Sequence, residues 1–393
     1  MNISLAHLTR ILITFFFSIT LLELFLCGGG RVLEFGPLTF RIILFIFNLL
    51  IVILLWIQTG KTPSICLILS VIVTLVFIIY SFIGWFDGAP FSLILEDIKP
   101  LSYFYSIFFF SFFIDSNSRI RLLISLLRKS SLLMASAYII IQILLYFNVI
   151  VFTEFYQFVN TKVSSSDFMF RGNQGLFSYK GFVYMIIGLI FWIHSDKTKR
   201  KNIAILIISM AMILSGTRGF VVMFFLVYAM FYGIPLILKL NLKVLFLAVI
   251  MFVTCIYFFA NFDLGNKIQS DSKRIEQVNQ VVERVNLKSL FIGHGFGVGI
   301  PVRKIHMEIG YLEVFHKQGV VGLFLWGILL TYIYNQYKKR SNSIKTRKAF
   351  FISVIFVFLL SITNPYFNNP IGISFIIITI STYAVLNKSQ KFI

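Results

Sequence analysis

Acidic residues are scarce in this chain. Its 393 residues include 15 Asp and Glu against 35 Lys and Arg, and charged residues make up only 13% of the sequence. Hydrophobic residues make up 58%, and Phe alone occurs 47 times. A soluble domain of this length cannot keep so much apolar surface out of water, so the composition predicts a helical protein that crosses a membrane many times.

Several functional classes lack their usual signals. Cys27, Cys66 and Cys255 show neither the spacing of a metal site nor a disulfide framework. The absence of a GxxxxGK[ST] segment argues against an ATPase, and the absence of an evident internal repeat disfavours a secondary transporter. The net charge of +20 could suit nucleic acid, but in a membrane protein basic residues mark cytoplasmic connectors, so we expect no nucleic-acid partner.

Apolar runs of roughly twenty residues predict the membrane spans. The first run has no clear cleavage site after it and is interpreted as a retained span. The sequence thus predicts an all-α polytopic protein, a single integral membrane domain over residues 1–393, with about twelve transmembrane helices. Their approximate bounds are 8–27, 38–57, 65–86, 99–114, 132–152, 178–194, 203–216, 219–238, 243–261, 319–337, 349–363 and 371–386.

Basic residues predict the orientation of these spans. They concentrate in alternate connectors, above all 115–131, 195–202 and 338–348. Short connectors rich in Lys and Arg stay in the cytoplasm, so both termini are predicted to be cytoplasmic. The long loop 262–318, between spans nine and ten, then faces the periplasm or cell exterior, assuming a bacterial plasma (inner) membrane.

This polar insert is the most informative part of the chain. It holds three of the five His residues and the segment GHGFGVG at 293–299. Apolar residues at helical spacing predict a helix between Lys267 and Leu290, which could lie on the membrane, cap a cavity or form an ordinary surface helix. Because no obvious strand precedes GHGFGVG, the segment favours a flexible loop lining a substrate groove over a nucleotide site.

Arg218 is the sharpest single candidate. It lies in the segment SGTRG between two apolar runs, where a permanently charged guanidinium needs an anion, a dipole or water. Its glycine neighbours would let backbone N–H groups approach such an anion. We expect either a phosphate or pyrophosphate clamp, supported by Arg171, Arg284 and Arg303, or an interface anchor that snorkels into water.

Carboxylates and imidazoles near span ten could supply a general base. Glu308 and Glu313 are the carboxylate candidates, and the alternative for them is a salt bridge to Arg303, Lys304 or Lys317. His306 and His316 are the alternative bases. A zinc site made from His294, His306 and His316 has poor spacing, so no metal is expected.

Two further features call for a partner or a ligand. Glu23 is an acid inside the first span and predicts a functional or paired role, although no partner is evident in the sequence. The turn TNPYFNNP at 363–370 offers amides and Tyr366 for hydrogen bonds to a sugar, or is a tight connector with interface aromatics. We expect His294, Tyr311 and Tyr366 to contact such a sugar.

The order of these features resembles the O-antigen polymerase and ligase superfamily. The resemblance rests on the RGNQG segment at 171–175, SGTRG at 215–219, the long outer loop, GHGFGVG, the entry YLEVFHKQGVVG at 311–322 and the terminal TNPYFNNP. It implies a GT-C-like membrane glycosyltransferase that uses undecaprenyl-pyrophosphate-linked sugars, with no cofactor and no nucleotide sugar. A chain-length regulator and a flippase are the partner proteins it suggests.

Two details of the resemblance favour a Wzy-type polymerase over a ligase. In ligases a His stands eleven residues before the first Gly of a GxxG pair; with Gly319 and Gly322 as that pair, the position holds Glu308. Polymerases show Arg-x10-Gly spacing in outer loops, which Arg284 and Gly295 fit.

The predicted reaction transfers a growing glycan from undecaprenyl pyrophosphate onto a lipid-linked repeat unit at the outer face of the plasma membrane. Arg171, Arg218, Arg284 and Arg303 would bind the pyrophosphate, and Glu308 or His306 would act as the base. The alternatives are an O-antigen ligase, which transfers glycan to lipid A-core, and a lipid-linked oligosaccharide transporter.

Overall fold

The chain is mostly helical in a computed structural model, which describes residues 5–30, 34–35, 38–60, 63–164, 167–171, 175–196, 198–233, 267–339 and 343–388. In chain order, helices α1 to α15 are Leu5–Leu26, Phe40–Thr59, Ser64–Phe86, Phe91–Leu101, Ile107–Phe113, Asn117–Tyr146, Phe152–Phe158, Phe182–Ile193, Lys199–Leu214, Arg218–Tyr228, Lys267–Glu283, Leu287–Ile292, Gly310–Lys338, Ile344–Leu360 and Pro370–Lys388.

Five helices in the described part of the chain are long and apolar enough to cross a membrane: Phe40–Gln58, Ser64–Phe86, Asn117–Tyr146, Gly310–Lys338 and Pro370–Lys388. Shorter apolar helices are Ile11–Leu26, Phe182–Ile193 and Arg218–Gly233. The predicted helical membrane protein is therefore confirmed in its general character. The predicted span 243–261 lies outside the described residues.

Burial separates central helices from peripheral ones. Every residue of α8 except Ile193 is buried, and α15 is buried over most of its length. By contrast α2 and α3 expose many large side chains, among them Leu54, Ile57 and Phe82. A helix that is apolar all round suits both positions, because hydrocarbon outside the bundle imposes no penalty on Leu, Ile or Phe.

The predicted span 99–114 is broken in the structure. Helix α4 contains Pro100 and ends at Leu101, a 3₁₀ turn covers Ser102–Ser106, and α5 continues from Ile107. Proline removes a backbone donor and clashes with the preceding turn, which explains a change of geometry at this point. The break leaves the short, partly polar α4 beside the polar insert rather than within an uninterrupted apolar rod.

Two small antiparallel hairpins depart from the all-α prediction. Strand β1 (Glu34–Phe35) pairs with β2 (Leu38–Thr39), and β3 (Phe168–Arg171) pairs with β4 (Leu176–Tyr179). Alternating aromatic residues in β3 and β4 supply cross-strand contacts that a short ribbon needs, such as Phe168 stacked on Tyr179 with ring centroids 4.7 Å apart. Both hairpins lie in connectors and leave the bundle helical.

Two ion pairs each join helix ends that the predicted topology places on the same side of the membrane. Arg41 at the start of α2 pairs with Glu23 near the end of α1, at 2.9 Å. Lys345 at the start of α14 pairs with Asp196 after α8, at 2.8 Å. The topology predicted from the basic connectors assigns the first pair to the outer side and the second to the cytoplasmic side, so each pair joins ends predicted to share a side.

The helix predicted between Lys267 and Leu290 is confirmed up to Glu283, where α11 ends. The helix ends there because Asn286 caps the next helix, α12. The Asn286 side chain accepts a hydrogen bond from the Ser289 amide, and the Ser289 hydroxyl accepts one from the Asn286 amide. In α11, Val281 is buried against Ile300 and Met307. Other members of the apolar stripe, including Ile275 and Val282, remain exposed.

The glycine-rich segment 293–299 is anchored rather than free. The amides of His294 and Gly295 donate to the carbonyls of His316 and Lys317, both at 2.9 Å. Those carbonyls are available because α13 is interrupted at Gly319, whose φ of 64° lies in the left-handed region. At the kink, carbonyls that have lost their helical partners thus accept hydrogen bonds from the backbone of the glycine-rich segment.

Candidate functional site

A cavity of about 630 Å³ lies where α2, α4, α13 and α15 meet the connector after α14 and the ends of the β3–β4 hairpin. Its charged lining residues, with His306, are Arg41, Glu96, Asp97, Lys99, Asp167, Lys180, Glu313 and Lys317. Its neutral polar lining includes Thr39, Ser102, Tyr103, Gln318, Asn364, Tyr366, Asn368 and Asn369. All of these residues lie at helix ends or connectors that the predicted topology places on the outer side.

Lys317 is the centre of a buried charge cluster beside this cavity. Its Nζ donates to Asp97 Oδ1 at 2.7 Å, to Glu313 Oε1 at 2.6 Å and to the carbonyl of Ile305 at 2.6 Å. All three donors of the ammonium are therefore used. Burying these charges is costly, and the three bonds offset that cost.

Each carboxylate has a further partner. Asp97 Oδ2 accepts from the amide of Gly297 at 2.7 Å, and Glu313 Oε2 accepts from Asn368 Nδ2 at 3.0 Å. Burial raises the pKa of Asp97 although Lys317 acts in the opposite direction. The cluster thereby connects the glycine-rich segment, α4, α13 and the turn before α15.

His306 joins this cluster to the cavity. Its Nδ1 lies 3.2 Å from Glu313 Oε1 and 3.9 Å from Asp97 Oδ1, and its side chain is 45% exposed. With a proton on Nδ1 pointing at Glu313, the other ring nitrogen, Nε2, keeps a free lone pair. A half-exposed imidazole held this way can take a proton from a bound hydroxyl.

Arg41 forms a second buried ion pair on the cavity wall. Its Nε lies 2.9 Å from both carboxylate oxygens of Glu23, and both side chains are about 5% exposed. The terminal nitrogens Nη1 and Nη2 are buried and have no hydrogen-bond partner among the described residues. Glu23, predicted to be functional or paired, is thus paired.

Asp97, His306 and Glu313 also have the chemistry of a cation site. One ligand atom from each lies within 4.8 Å of the others. Two carboxylates and an imidazole are acceptable ligands for several divalent metals. However, Lys317 already places its ammonium against both carboxylates, at 2.7 and 2.6 Å, so a metal ion would have to displace it.

Three of the predicted candidates line the cavity, namely His306, Glu313 and Tyr366. Tyr366 is largely buried, and burial raises its pKa. Glu308 does not line the cavity. It pairs with Arg303, and its Oε2 lies 3.2 Å from Arg274 Nε, which is the salt-bridge alternative considered above.

The predicted phosphate-binding arginines are not all available. Arg303 is held by Glu308, and Arg284 Nη1 donates to the carbonyl of Gly299 at 2.8 Å. Arg218 begins α10, and its Nε is buried without a hydrogen-bond partner in the described part of the chain. Arg171 ends β3 opposite Leu176, and its side chain lies outside what the structure describes.

The remaining predicted glycan contacts are engaged within the protein. The Tyr311 hydroxyl donates to the carbonyl of Phe358 at 2.9 Å. His294 lies 3.7 Å from Asp87, its ring centroid is 4.8 Å from that of His316, and burial lowers its pKa. Neither residue lines the cavity.

Sequence reasoning missed Arg41, Asp97 and Asp167 as site residues. A usable signal existed for Arg41, because an acid within span one requires a counter-charge and Arg41 is the basic residue at the start of span two. Asp97 lay beside the mouth of span four, in the same way that Glu313 lay beside span ten. Asp167 gave no signal, since its meaning depends on the hairpin that brings it within 3.4 Å of Lys180.

Comparison with known proteins supports the resemblance inferred from the motifs. The chain is 28% identical to an O-antigen polymerase of Shigella flexneri over 376 residues, which covers 93% of this chain and 92% of that protein. No protein-family model matches the chain. The similarity extends far beyond the short motifs, and the resemblance to the Wzy-type O-antigen polymerases is confirmed.

Proposed function

We propose that this chain, which resembles the O-antigen polymerases over nearly its full length, polymerises O-antigen or a related surface polysaccharide. It transfers a growing glycan from undecaprenyl pyrophosphate onto the non-reducing end of a lipid-linked repeat unit, at the outer face of a bacterial inner membrane. The observation that carries the proposal is the similarity across 93% of the chain to a polymerase.

The finer architecture belongs to the same proposal. It has about twelve spans in a GT-C-like arrangement within one membrane domain, with cytoplasmic termini and the loop 262–318 outside. The segregation of the Arg41–Glu23 and Lys345–Asp196 pairs supports an alternating topology of this kind. A chain-length regulator and a flippase remain the proposed partner proteins.

His306 is the general base in this mechanism. Its Nε2 takes the proton of the acceptor hydroxyl while the acceptor oxygen attacks the anomeric carbon of the donor sugar. The bond from that carbon to the diphosphate oxygen breaks, and undecaprenyl diphosphate leaves with the electron pair. Glu313, within 3.2 Å of Nδ1, positions the ring and stabilises the imidazolium that forms.

The turn before α15 would hold the acceptor sugar. Asn364, Asn368, Asn369 and Tyr366 line the cavity, and their side chains carry amide and phenol groups. Such groups both donate and accept, which suits the hydroxyls of a glycan. Asn368 also donates to Glu313 at 3.0 Å, so the sugar-binding turn and the base are linked directly.

Among the originally predicted arginines, Arg218 is retained as a candidate for the leaving diphosphate. Its Nε lacks a partner in the described residues, whereas a diphosphate at Arg303 would have to replace Glu308. A guanidinium near the departing oxygens would neutralise the charge that develops on them. Glu308 is the second candidate base, although Arg274 and Arg303 already pair with its two carboxylate oxygens.

A complementation experiment tests the proposal. A deletion strain carrying His306→Gln should lose long-chain glycan by about 10²-fold or more, because general-base catalysis contributes at least that factor. One repeat unit on the core should remain, which separates a polymerase from a ligase, whose loss leaves none. His194→Gln, which changes an imidazole on the predicted cytoplasmic side, should retain the full ladder. A normal ladder from His306→Gln at wild-type protein level would refute the assignment.

A further inference from the structure

We infer that Arg41 is a phosphate-binding residue, whose Nη1 and Nη2 donate to oxygens of the donor lipid's diphosphate. The identity of that ligand rests on the proposed function. The assignment of an oxyanion site to Arg41 rests on the unpartnered guanidinium nitrogens described above.

The hydrogen bonding of Arg41 is incomplete in a way that points to a ligand. Only 4% of the residue is exposed, yet Nη1 and Nη2 have no partner among the described residues. Buried donors are rarely left unpaired in proteins, and those of a charged group least of all. The cavity that Arg41 lines is the space in which a partner can lie.

Arg347 provides an internal comparison. It is also nearly inaccessible, at 2% exposure. Its Nη1 donates to Asn387 Oδ1 at 2.8 Å, its Nη2 donates to the carbonyls of Gln336 and Tyr337, and its Nε lies 3.3 Å from the latter. Each of the three guanidinium nitrogens of Arg347 thus has a partner within the protein, whereas only the Nε of Arg41 has one.

The geometry of Arg41 favours a planar or tetrahedral oxyanion. Both carboxylate oxygens of Glu23 lie 2.9 Å from Nε of Arg41, which fixes the plane of the guanidinium. The two terminal nitrogens, Nη1 and Nη2, then form a two-pronged fork of donors in that plane. Such a fork matches a pair of phosphate oxygens through parallel charge-assisted hydrogen bonds. A lone sugar hydroxyl would satisfy one nitrogen and leave the other unpaired.

The other basic residues of the cavity are paired with carboxylates, so an anion there depends on the hydrogen-bond donors of Arg41. Lys99 pairs with Glu96, Lys180 with Asp167, and Lys317 with two carboxylates. Because these lysines are neutralised by carboxylates, the cavity has no excess positive charge to attract an anion. Recognition of an anion therefore depends on groups that have free hydrogen-bond donors. Arg41 is also the second residue of α2, so it lies at the end of a candidate span, where the diphosphate of a lipid would meet the membrane surface.

Binding to purified protein in nanodiscs tests the inference without requiring turnover. The probe is undecaprenyl diphosphate, compared with undecaprenol and with inorganic diphosphate, and the dissociation constant is measured by native mass spectrometry. Arg41→Lys keeps a cation beside Glu23 but removes the fork, and should weaken undecaprenyl diphosphate binding about tenfold or more. Undecaprenol binding should not change.

Arg347→Lys is the matched control for replacing a buried arginine, and it should leave the affinity unchanged. Equal affinity of wild type and Arg41→Lys for undecaprenyl diphosphate would overturn the inference. So would an equal loss of undecaprenol binding, since that would indicate a structural or hydrocarbon contact. Inorganic diphosphate binding as tight as that of the lipid, and sensitive to Arg41→Lys, would keep the oxyanion site but reject the lipid as its source.

The two proposals fail independently. If wild-type protein binds undecaprenyl diphosphate through Arg41 but elongates no glycan, the polymerase assignment falls and the oxyanion site stands. If wild type elongates glycan while Arg41→Lys binds the lipid normally, the polymerase stands and Arg41 is not its phosphate ligand.

Discussion

Lys317 is a single buried side chain on which we expect the stability of this protein to depend. It is 3% exposed and holds two carboxylates from different helices, Asp97 on α4 and Glu313 on α13. Removing its charge leaves those carboxylates buried without a counter-ion. Lys317→Met should therefore lower the free energy of unfolding by about 3–5 kcal/mol, measured by denaturant titration of the purified protein.

Lys288 is the matched control for that prediction. It also pairs with an aspartate, Asp87, at 2.7 Å, but its side chain is 52% exposed. Solvent screens such a pair, so Lys288→Met should change stability by no more than about 1 kcal/mol. Similar losses in the two variants would mean that the cluster around Lys317 is open to water rather than buried.

Individual reactive residues could be predicted from the sequence better than the residues with which they form ion pairs. Glu23 stood out because an acid inside an apolar run demands compensation, and His306 stood out as a base near span ten. Arg41 could have been sought as the counter-charge of Glu23, but Asp97 could not be paired with His306, because that pairing depends on how distant helix ends pack. For Arg303 the sequence left two roles open, a phosphate ligand and a salt bridge to Glu308, and the structure shows the salt bridge.

Among the elements, α13 carries the most consequential irregularity. Gly319 adopts a φ of 64° within it, and a Cβ at this position would lie 2.3 Å from the carbonyl oxygen of Phe291. Gly319→Ala should therefore destabilise the protein by roughly 1–3 kcal/mol through backbone strain, with further cost from displacing α12.

Gly327, eight residues further along the same helix, is the control. A Cβ there meets nothing within 4 Å, so Gly327→Ala should be neutral or stabilise the protein by up to about 1 kcal/mol. Thermal unfolding of both variants in the same detergent compares them. A Gly319→Ala protein as stable as Gly327→Ala would show that the kink is not required by the fold.

Helices could be predicted from the sequence far better than their interruptions. Continuous apolar runs fix where α2, α3 and α15 lie, and the Ile and Val spacing located α11. The kink at Gly319 could not be predicted, since glycine is common in membrane helices and does not by itself interrupt them. The β3–β4 hairpin was missed because its aromatic strands are short and adjoin a predicted span.

For the whole molecule, orientation in the membrane is the prediction with the widest consequences. With Cys27, Cys66 and Cys255 replaced by Ser, single cysteines at Lys304 and Asp196 would test it. Both positions are exposed, and they lie on opposite predicted sides. A membrane-impermeant maleimide should label Lys304→Cys in cells with only the outer membrane permeabilised, and Asp196→Cys only after the inner membrane is also breached.

The reverse labelling pattern would place the cavity in the cytosol, where a lipid-linked repeat unit on the outer face cannot reach it. Labelling of both cysteines before the inner membrane is breached would exclude the alternating arrangement itself. Labelling therefore tests the topology separately from the chemistry.

The most direct test of the central claim is the initial rate at which the purified, reconstituted protein elongates undecaprenyl-diphosphate-linked repeat units supplied as the only glycan. Wild type should produce a ladder of longer lipid-linked chains, and His306→Gln should do so at least about 10²-fold more slowly. No elongation by active, folded wild type, or an unchanged rate with His306→Gln, would contradict the account.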